Sequence, residues 1–362
     1  MAEKTNVVIA ASGHFLPDNI IPNEAFLNNS FYYATGERMT KSNKEIITKF
    51  YEITEIEERR YADDTMVASD MGFIAAERAL SSSGTDPESL DAIIVAHNFG
   101  DVVHRSNRSD MVPSLAARIK LKLGIENPFC VAYDIPFGCP GWLQAMIQGS
   151  QMISNGQAKK VMVIGTETLS RVSDPHDIDS MLYSDGAGAV ILNGVRASED
   201  ENFGVLNYKV RSDTKQHCEL LKLDRSYNQD HDPGNIYLKM NGRKLYEYAL
   251  NNVPNLVMEC MEMSGIALKD VKKVLMHQAN AKMNKAILLR LFQLYGQDTS
   301  DESVMPLTIS KLGNNSVATL PILWDLLQNN QMEDTPLVSG DICVISSVGA
   351  GMNINALTYR MP

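Results

Sequence analysis

Residues Val131–Asn155 read VAYDIPFGCPGWLQAMIQGSQMISN: a short apolar run, then Phe137-Gly138-Cys139-Pro140-Gly141, then a helical pattern of apolar and small residues. Pro140 suits a first helical position, where its missing N–H costs nothing and its φ is already set. Asn155-Gly156 supplies the stop. Cys139 is therefore expected where a strand turns into the start of a buried helix. Unpaired N–H groups and the positive end of the helix dipole favour a thiolate there. A small buried cysteine is the ordinary use of this residue. The strand–turn–helix setting, with a glycine on each side for close approach, points instead to a nucleophile.

Outward from this stretch, strand-like runs fall at 6–11, 92–96, 129–134, 160–164 and 187–192, and again at 205–210, 274–277, 342–346 and 353–359. Helical patterns lie between them, near 67–82, 112–123, 140–154, 243–263, 281–295 and 317–329. Such alternation predicts an α/β fold with sheets covered on both faces. Sliding the chain against itself reveals a repeat. One ungapped shift of 181 residues carries Gly84 onto Gly265, Leu90-Asp-Ala-Ile-Ile-Val95 onto Val271-Lys-Lys-Val-Leu-Met276, and Val161-Met-Val-Ile164 onto Ile342-Cys-Val-Ile345. It also puts Cys139-Pro140 on Leu320-Pro321, each near the start of an apolar helix. We expect two pseudo-symmetric halves, 1–195 and 196–362, that share one core, since no linker-like composition separates them. Strand ends from both halves should converge at the central helix starts, where ligands of α/β sheets bind.

Composition sets the limits. With 362 residues, 44% of them hydrophobic, the chain can bury a large core. No run approaches about 18 apolar residues, so no membrane span is expected. The N-terminal MAEKTNVVIAASG has no signal-peptide layout, and five unpaired-looking cysteines suit a reducing cytosol, so a cytoplasmic location is expected. Scattered histidines and the absence of C-x-x-C or H-E-x-x-H argue against a metal, and no cofactor is expected. A formal net charge of −11 argues against nucleic acid as a partner.

His277 closes the run Val274-Leu275-Met276 and is expected at the carboxyl end of a buried strand. A histidine there is often only a satisfied core residue; the following Gln278-Ala279-Asn280 and the repeat geometry favour function. Asn314, within Gly313-Asn314-Asn315-Ser316, alone would read as a cap or turn residue. Asp185-Gly-Ala-Gly-Ala189 and Val348-Gly-Ala-Gly351 lack phosphate-loop spacing and a following lysine. Ser184 and Ser347 lack a G-x-S-x-G elbow. Cysteine, histidine and asparagine also form the papain-like protease set, but its local C-G-[SA]-C-[WY] signature is missing.

Five pieces occur in order: Asp134-Ile-Pro-Phe-Gly-Cys139-Pro-Gly141, Met181-Leu-Tyr-Ser-Asp-Gly-Ala-Gly-Ala-Val190, Met240-Asn-Gly-Arg-Lys-Leu-Tyr246, His277-Gln-Ala-Asn280 and Gly313-Asn314-Asn-Ser316. From about residue 6 to 360 the chain resembles β-ketoacyl-acyl-carrier-protein synthase III, in the thiolase superfamily. The resemblance implies a five-layered αβαβα thiolase-like fold, normally a homodimer, that joins acyl thioesters by Claisen condensation. It implies Cys139 as the acyl acceptor. His277 and Asn314 would hold the second thioester carbonyl as its enolate forms. The backbone N–H groups of Cys139 and of Gly351 or its neighbour would make the oxyanion hole. A soft nucleophile and neutral donors suit such chemistry. HMG-CoA synthase, a relative, uses a glutamate base, and no glutamate is seen at a matching position.

Two departures bear on substrate. Priming members of the family carry a tryptophan and an arginine that sandwich adenine; here Lys49 and Ile53 fall in that region, which favours carrier-bound acyl groups over coenzyme A. Lys282 falls where the family docks its acidic carrier protein, and Lys272, Lys273 and Lys285 would complete a local basic patch. The long segments 28–43 and 101–111 resemble ketosynthases that join two long acyl chains, the dialkylresorcinol-forming enzymes being the nearest in kind. Those condense a β-ketoacyl with an enoyl thioester to a cyclohexanedione. The alternatives are a decarboxylative priming synthase and a non-condensing acyltransferase. Loop 101–112 is expected near a dimer interface.

Overall fold

A computed structural model of the chain describes residues 3–198 and 200–362. The β-branched runs form two main sheets. In the first the strand order is Glu3–Phe15, Asp185–Ser198, Lys160–Thr168, Ala92–His97, Val131–Pro136. The first two pairings are antiparallel and the last two parallel. The second sheet runs Gly204–Ser212, Asn353–Arg360, Ile342–Gly349, Val271–Met276, again antiparallel, antiparallel, parallel. Strands related by the 181-residue shift hold the same place in their sheets, and Gly84 and Gly265 both end helices with positive φ, +64° and +65°.

Helices Gly141–Ser154 and Thr319–Gln328 lie between the sheets, in a core that takes Ala92, Val161 and Leu192 from one sheet and Leu275, Ile345 and Leu357 from the other. Helices Ala68–Ser83 and Leu115–Lys122 cover the outer face of the first sheet. Helices Gly242–Met263 and Ala281–Leu294 cover that of the second. The layers are thus α, β, α, β, α. Strand Ala92–His97 is buried at every position, as a central strand covered on both faces must be. Gly165 shows how tightly the layers meet: a Cβ there would lie 2.4 Å from the Val317 carbonyl oxygen, so only a bare backbone fits.

Several elements run beyond their apolar cores. The expected strands 6–11 and 187–192 extend to Glu3–Phe15 and Asp185–Ser198 because they pair from Glu3 with Ser198 through to Phe15 with Ala187, with one register shift between Ile9 and Ala11. That ladder carries the strand past residue 195, and the second sheet begins at Gly204. Helix Asn43–Thr54, absent from the expected set, starts at Ser42 with a reciprocal capping box to Glu45. It packs Ile46 and Phe50 into a separate cluster with Phe26, Phe31, Leu182 and Tyr183. Arg59, fully buried, holds this cover in place by donating to the Met181 and Ile21 carbonyls and to Asn23, with its guanidinium 5.0 Å from the Phe26 ring centre. Within 101–111, Asp101–Val102 pairs with Ser109–Asp110, and Arg118 ties both ends through Asp101 and Asp110.

Candidate active site

Cys139 sits between a glycine at φ +66° and Pro140, the N-cap of the central helix. The expectation of Pro140 inside the helix is thus off by one residue, and Cys139 lies just outside the first turn. Two contacts show why its flanks are bare backbone. A Cβ on Gly138 would lie 2.8 Å from Ala350 N, and one on Gly349 would lie 2.6 Å from Cys139 N. The cysteine turn of the first half is therefore seated on the strand end Gly349–Ala350 of the second.

His277 follows strand Val271–Met276, its N–H bonded to the Ser346 carbonyl at 2.9 Å and its carbonyl accepting from Asn284 at 2.9 Å. Asn314 is held by its N–H to the Leu182 carbonyl at 2.8 Å and by its carbonyl from Ser184 N–H at 3.0 Å. Its Oδ1 accepts from Ser316 N–H at 2.9 Å, which leaves the amide NH2 as the group it can offer. Cys139, His277 and Asn314 line one cavity of about 270 Å³, walled by Phe99, Leu169, Leu238 and Val348. Leu182, Met240, Leu245, Ala279 and Met283 also line a second cavity of about 470 Å³, so the two adjoin. Lys41, Lys49 and Arg243 border the outer one, with Ile53 and Ile178.

Burial dominates the electrostatics. It pushes the Cys139 thiol up to about 11; the Ser316 hydroxyl opposes this and the Glu167 charge adds to it. The expectation of a ready thiolate at a helix start is overturned here, because loss of solvation outweighs the hydrogen bonds a residue outside the first turn receives. His277 is pushed down to about 4, again by burial, with partial relief from the Ser316 backbone. At neutral pH the pair is thiol and neutral imidazole. The Nδ1 of His277 and the Tyr183 hydroxyl are buried with no partner among the described residues. Burial holds Tyr183 well above its ordinary range, so it stays a neutral donor.

Other expectations need correction. Gly351, at φ +109°, does not line the cavity; its neighbours Gly349 and Ala350 do, and Ala350 N faces the Cys139 turn. Lys282 and Lys272 are exposed. Lys273 is buried against Asp334 at 2.6 Å, and Lys285 pairs with Glu55 at 3.0 Å, so those four lysines do not form one open patch. The exposed cations near the outer cavity are instead Lys41, just before the unexpected helix, Lys49 on it, and Arg243. Sequence reading also missed Glu167, wholly buried and raised to about 7 mainly by burial. The available signal was a lone carboxylate inside the otherwise uncharged run Val161–Thr168. Among the described residues no group of three or more His, Cys, Asp or Glu side chains could hold a metal, and no helix is long and apolar enough to cross a membrane.

Comparison with known proteins gives the same picture across the whole chain. The family profile of 3-oxoacyl-[acyl-carrier-protein] synthase III matches residues 133–214, and the profile of its C-terminal part matches 261–361. A β-ketoacyl-[acyl-carrier-protein] synthase III of Vibrio vulnificus is 31% identical over 354 residues, covering 97% of this chain and 98% of its own. One from Halalkalibacterium halodurans is 29% identical over 357 residues, covering 98% and 99%. The crystal structure of the Aquifex aeolicus synthase III superposes with a TM-score of 0.77 at 26% identity, over 98% of this chain and 99% of that one. That of Thermus thermophilus gives 0.78 at 26% identity with the same coverage. The chain therefore belongs to the β-ketoacyl-acyl-carrier-protein synthase III family, and is a thiolase-fold ketosynthase that transfers acyl groups by Claisen condensation.

Proposed function

We propose that Cys139 carries the acyl group while His277 and Asn314 hold the second thioester. The supporting observation is that these three side chains, drawn from both halves, share one cavity, which adjoins the outer one along the shared apolar wall of Leu182, Met240, Leu245 and Met283. The sulfur, its proton lost to the departing thiol, attacks the donor carbonyl. The resulting oxyanion is held by the backbone N–H groups of Cys139 and Ala350 and collapses as the donor thiol leaves. The second thioester then loses carbon dioxide, or gives an α-proton to solvent. Its enolate oxygen is met by the neutral imidazole and the Asn314 NH2, donors suited to charge that develops only in the transition state. The α-carbon attacks the Cys139 thioester, the C–S bond breaks, and the departing thiolate takes a proton from solvent to restore the thiol.

The acyl groups arrive on an acyl carrier protein. Lys41, Lys49 and Arg243 border the outer cavity and suit a phosphorylated arm on an acidic carrier. The reaction favoured is condensation of a β-ketoacyl with an enoyl thioester towards a cyclohexanedione, precursor of a dialkylresorcinol. Decarboxylative priming is the second reading, favoured by the names of the relatives. Edge strand Val131–Pro136 is open on one side, flanked by exposed Phe129 and Val112, and suits pairing with a second copy across a two-fold axis. Product analysis with β-ketoacyl and enoyl carrier thioesters, beside a malonyl-carrier control, separates the readings. A cyclised diketone is expected. Product formed from an acyl donor only when malonyl carrier is the extender would establish priming, and acyl-Cys139 without any new carbon–carbon bond would reduce the activity to acyl transfer.

A further inference from the structure

The Ser316 hydroxyl donates to the Cys139 sulfur at 3.3 Å. Its own oxygen accepts from Asn98 Nδ2 at 3.0 Å. That same Nδ2 donates at 2.8 Å to Glu167 Oε2, which also takes the Asn98 backbone N–H at 3.0 Å. An amide nitrogen has two hydrogens, and here each has its acceptor. Glu167 therefore decides which way the Asn98 amide faces, and Asn98 decides where the hydroxyl proton goes. Turned over, the amide oxygen would draw the Ser316 proton to itself and leave the sulfur without a donor. Ser316 is held for this at φ +51°, a conformation a non-glycine residue adopts only when its surroundings impose it.

We propose that Glu167 and Asn98 are positioning residues that fix Ser316 as the hydrogen-bond donor to Cys139 and so set how readily that cysteine is acylated. The inference rests on the reading that Cys139 is the nucleophile. It assigns work to a wholly buried carboxylate, one of whose oxygens has no partner among the described residues and which the condensation chemistry does not use. The ionisable groups acting on Cys139 and Glu167 are each other, Tyr183, His97 and Asp185. A carboxylate charge near a thiol opposes thiolate formation. The hydrogen-bond relay works in the opposite direction, so the two roles of Glu167 can be told apart.

The test is the rate of alkylation of Cys139 by iodoacetamide between pH 7 and 9, read by intact-protein mass, with acyl loading from a carrier thioester measured in parallel. A hydrogen bond to a charged acceptor is worth roughly tenfold or somewhat more in thiolate population. Ser316→Ala and Asn98→Leu should each slow alkylation and loading by about tenfold, and the double variant by no more than either alone. Glu167→Leu should slow both as well. Glu167→Gln keeps an oxygen for the Asn98 backbone N–H and one side-chain N–H, and should slow neither alkylation nor loading. Denaturant midpoints identify any variant that has merely lost its fold. Fully additive effects of Ser316→Ala and Asn98→Leu, or faster alkylation in Glu167→Leu, would overturn the relay and leave only the carboxylate's charge. Acyl loading that survives in Cys139→Ala would refute the nucleophile reading instead.

Discussion

Replacing Gly349 by alanine probes the seam on which the active site is built. Gly349 has φ −170°, extended backbone open to any residue, so the substitution meets no local strain. Its cost is contact. The new Cβ would lie 2.6 Å from Cys139 N, 2.7 Å from Pro140 Cδ and 2.9 Å from Cys139 Cβ, none of them the end of a flexible side chain. The Cys139 turn must therefore retreat by several tenths of an ångström from Gly349–Ala350, and the two proposed oxyanion donors move apart. Loss of one such donor costs about 2.7–4 kcal/mol of transition-state stabilisation, roughly a hundred- to a thousand-fold in rate. Overpacking adds about 1–3 kcal/mol to the loss of stability. The assay is the rate at which a carrier thioester adds its acyl mass to Cys139, with urea unfolding run alongside. Gly84→Ala is the control. At φ +64° with no atom within 4 Å, it should lose about 1–2 kcal/mol of stability from the left-handed conformation alone and load normally. A Gly349→Ala protein that loads at the parental rate would refute the oxyanion geometry.

Other outcomes follow from the same site. Cys139→Ala should abolish acyl loading, and mass added at any other residue would remove Cys139 as nucleophile. His277→Ala should load normally but fail to condense, measured as acyl-enzyme that persists when the second thioester is supplied. With the thiol pushed up to about 11, alkylation of Cys139 should climb about tenfold per pH unit through pH 9; a plateau near pH 7 would show a thiolate already formed. His277 takes up a proton below 6.5 in the unfolded chain but only near 4 in the folded one, so its contribution to stability is lost as the pH falls between those values. Glu167 acts with opposite sign. Its folded carboxyl keeps a proton up to about 7 while the unfolded one loses it near 4.5, so its contribution is lost as the pH rises through that window. In denaturant unfolding across pH 4–7, His277→Gln and Glu167→Gln should therefore change the slope in opposite directions.

Much of this architecture is legible without coordinates because it depends on short-range pattern. Apolar runs of the right period, helix-ending glycines and a single gapless shift suffice to place nine strands in two related sheets. A cysteine before a proline at a strand–helix junction marks itself, as do His277 and Asn314 once the ordered motifs are read together. Helix Asn43–Thr54 carried its own signal, Ser42 with Glu45 and apolar Ile46, Phe50 and Ile53 on one face, but its polar neighbours masked it. Basic residues gave a misleading patch, since Lys273 and Lys285 are consumed by Asp334 and Glu55, which lie far away in sequence.

The sequence by itself determined the layered fold, the family and the three side chains that meet in the cavity. Only the tertiary structure decided their protonation, which backbone N–H lies against the Cys139 turn, and the hydrogen bonds that link Glu167 through Asn98 and Ser316 to the sulfur. Periodicity and motif order are properties of neighbouring residues, whereas desolvation and hydrogen-bond direction depend on atoms that folding brings together from distant parts of the chain. Asn98, Glu167 and Ser316 are unremarkable where they stand in the chain. They are joined by hydrogen bonds only when two half-chains close around one sulfur.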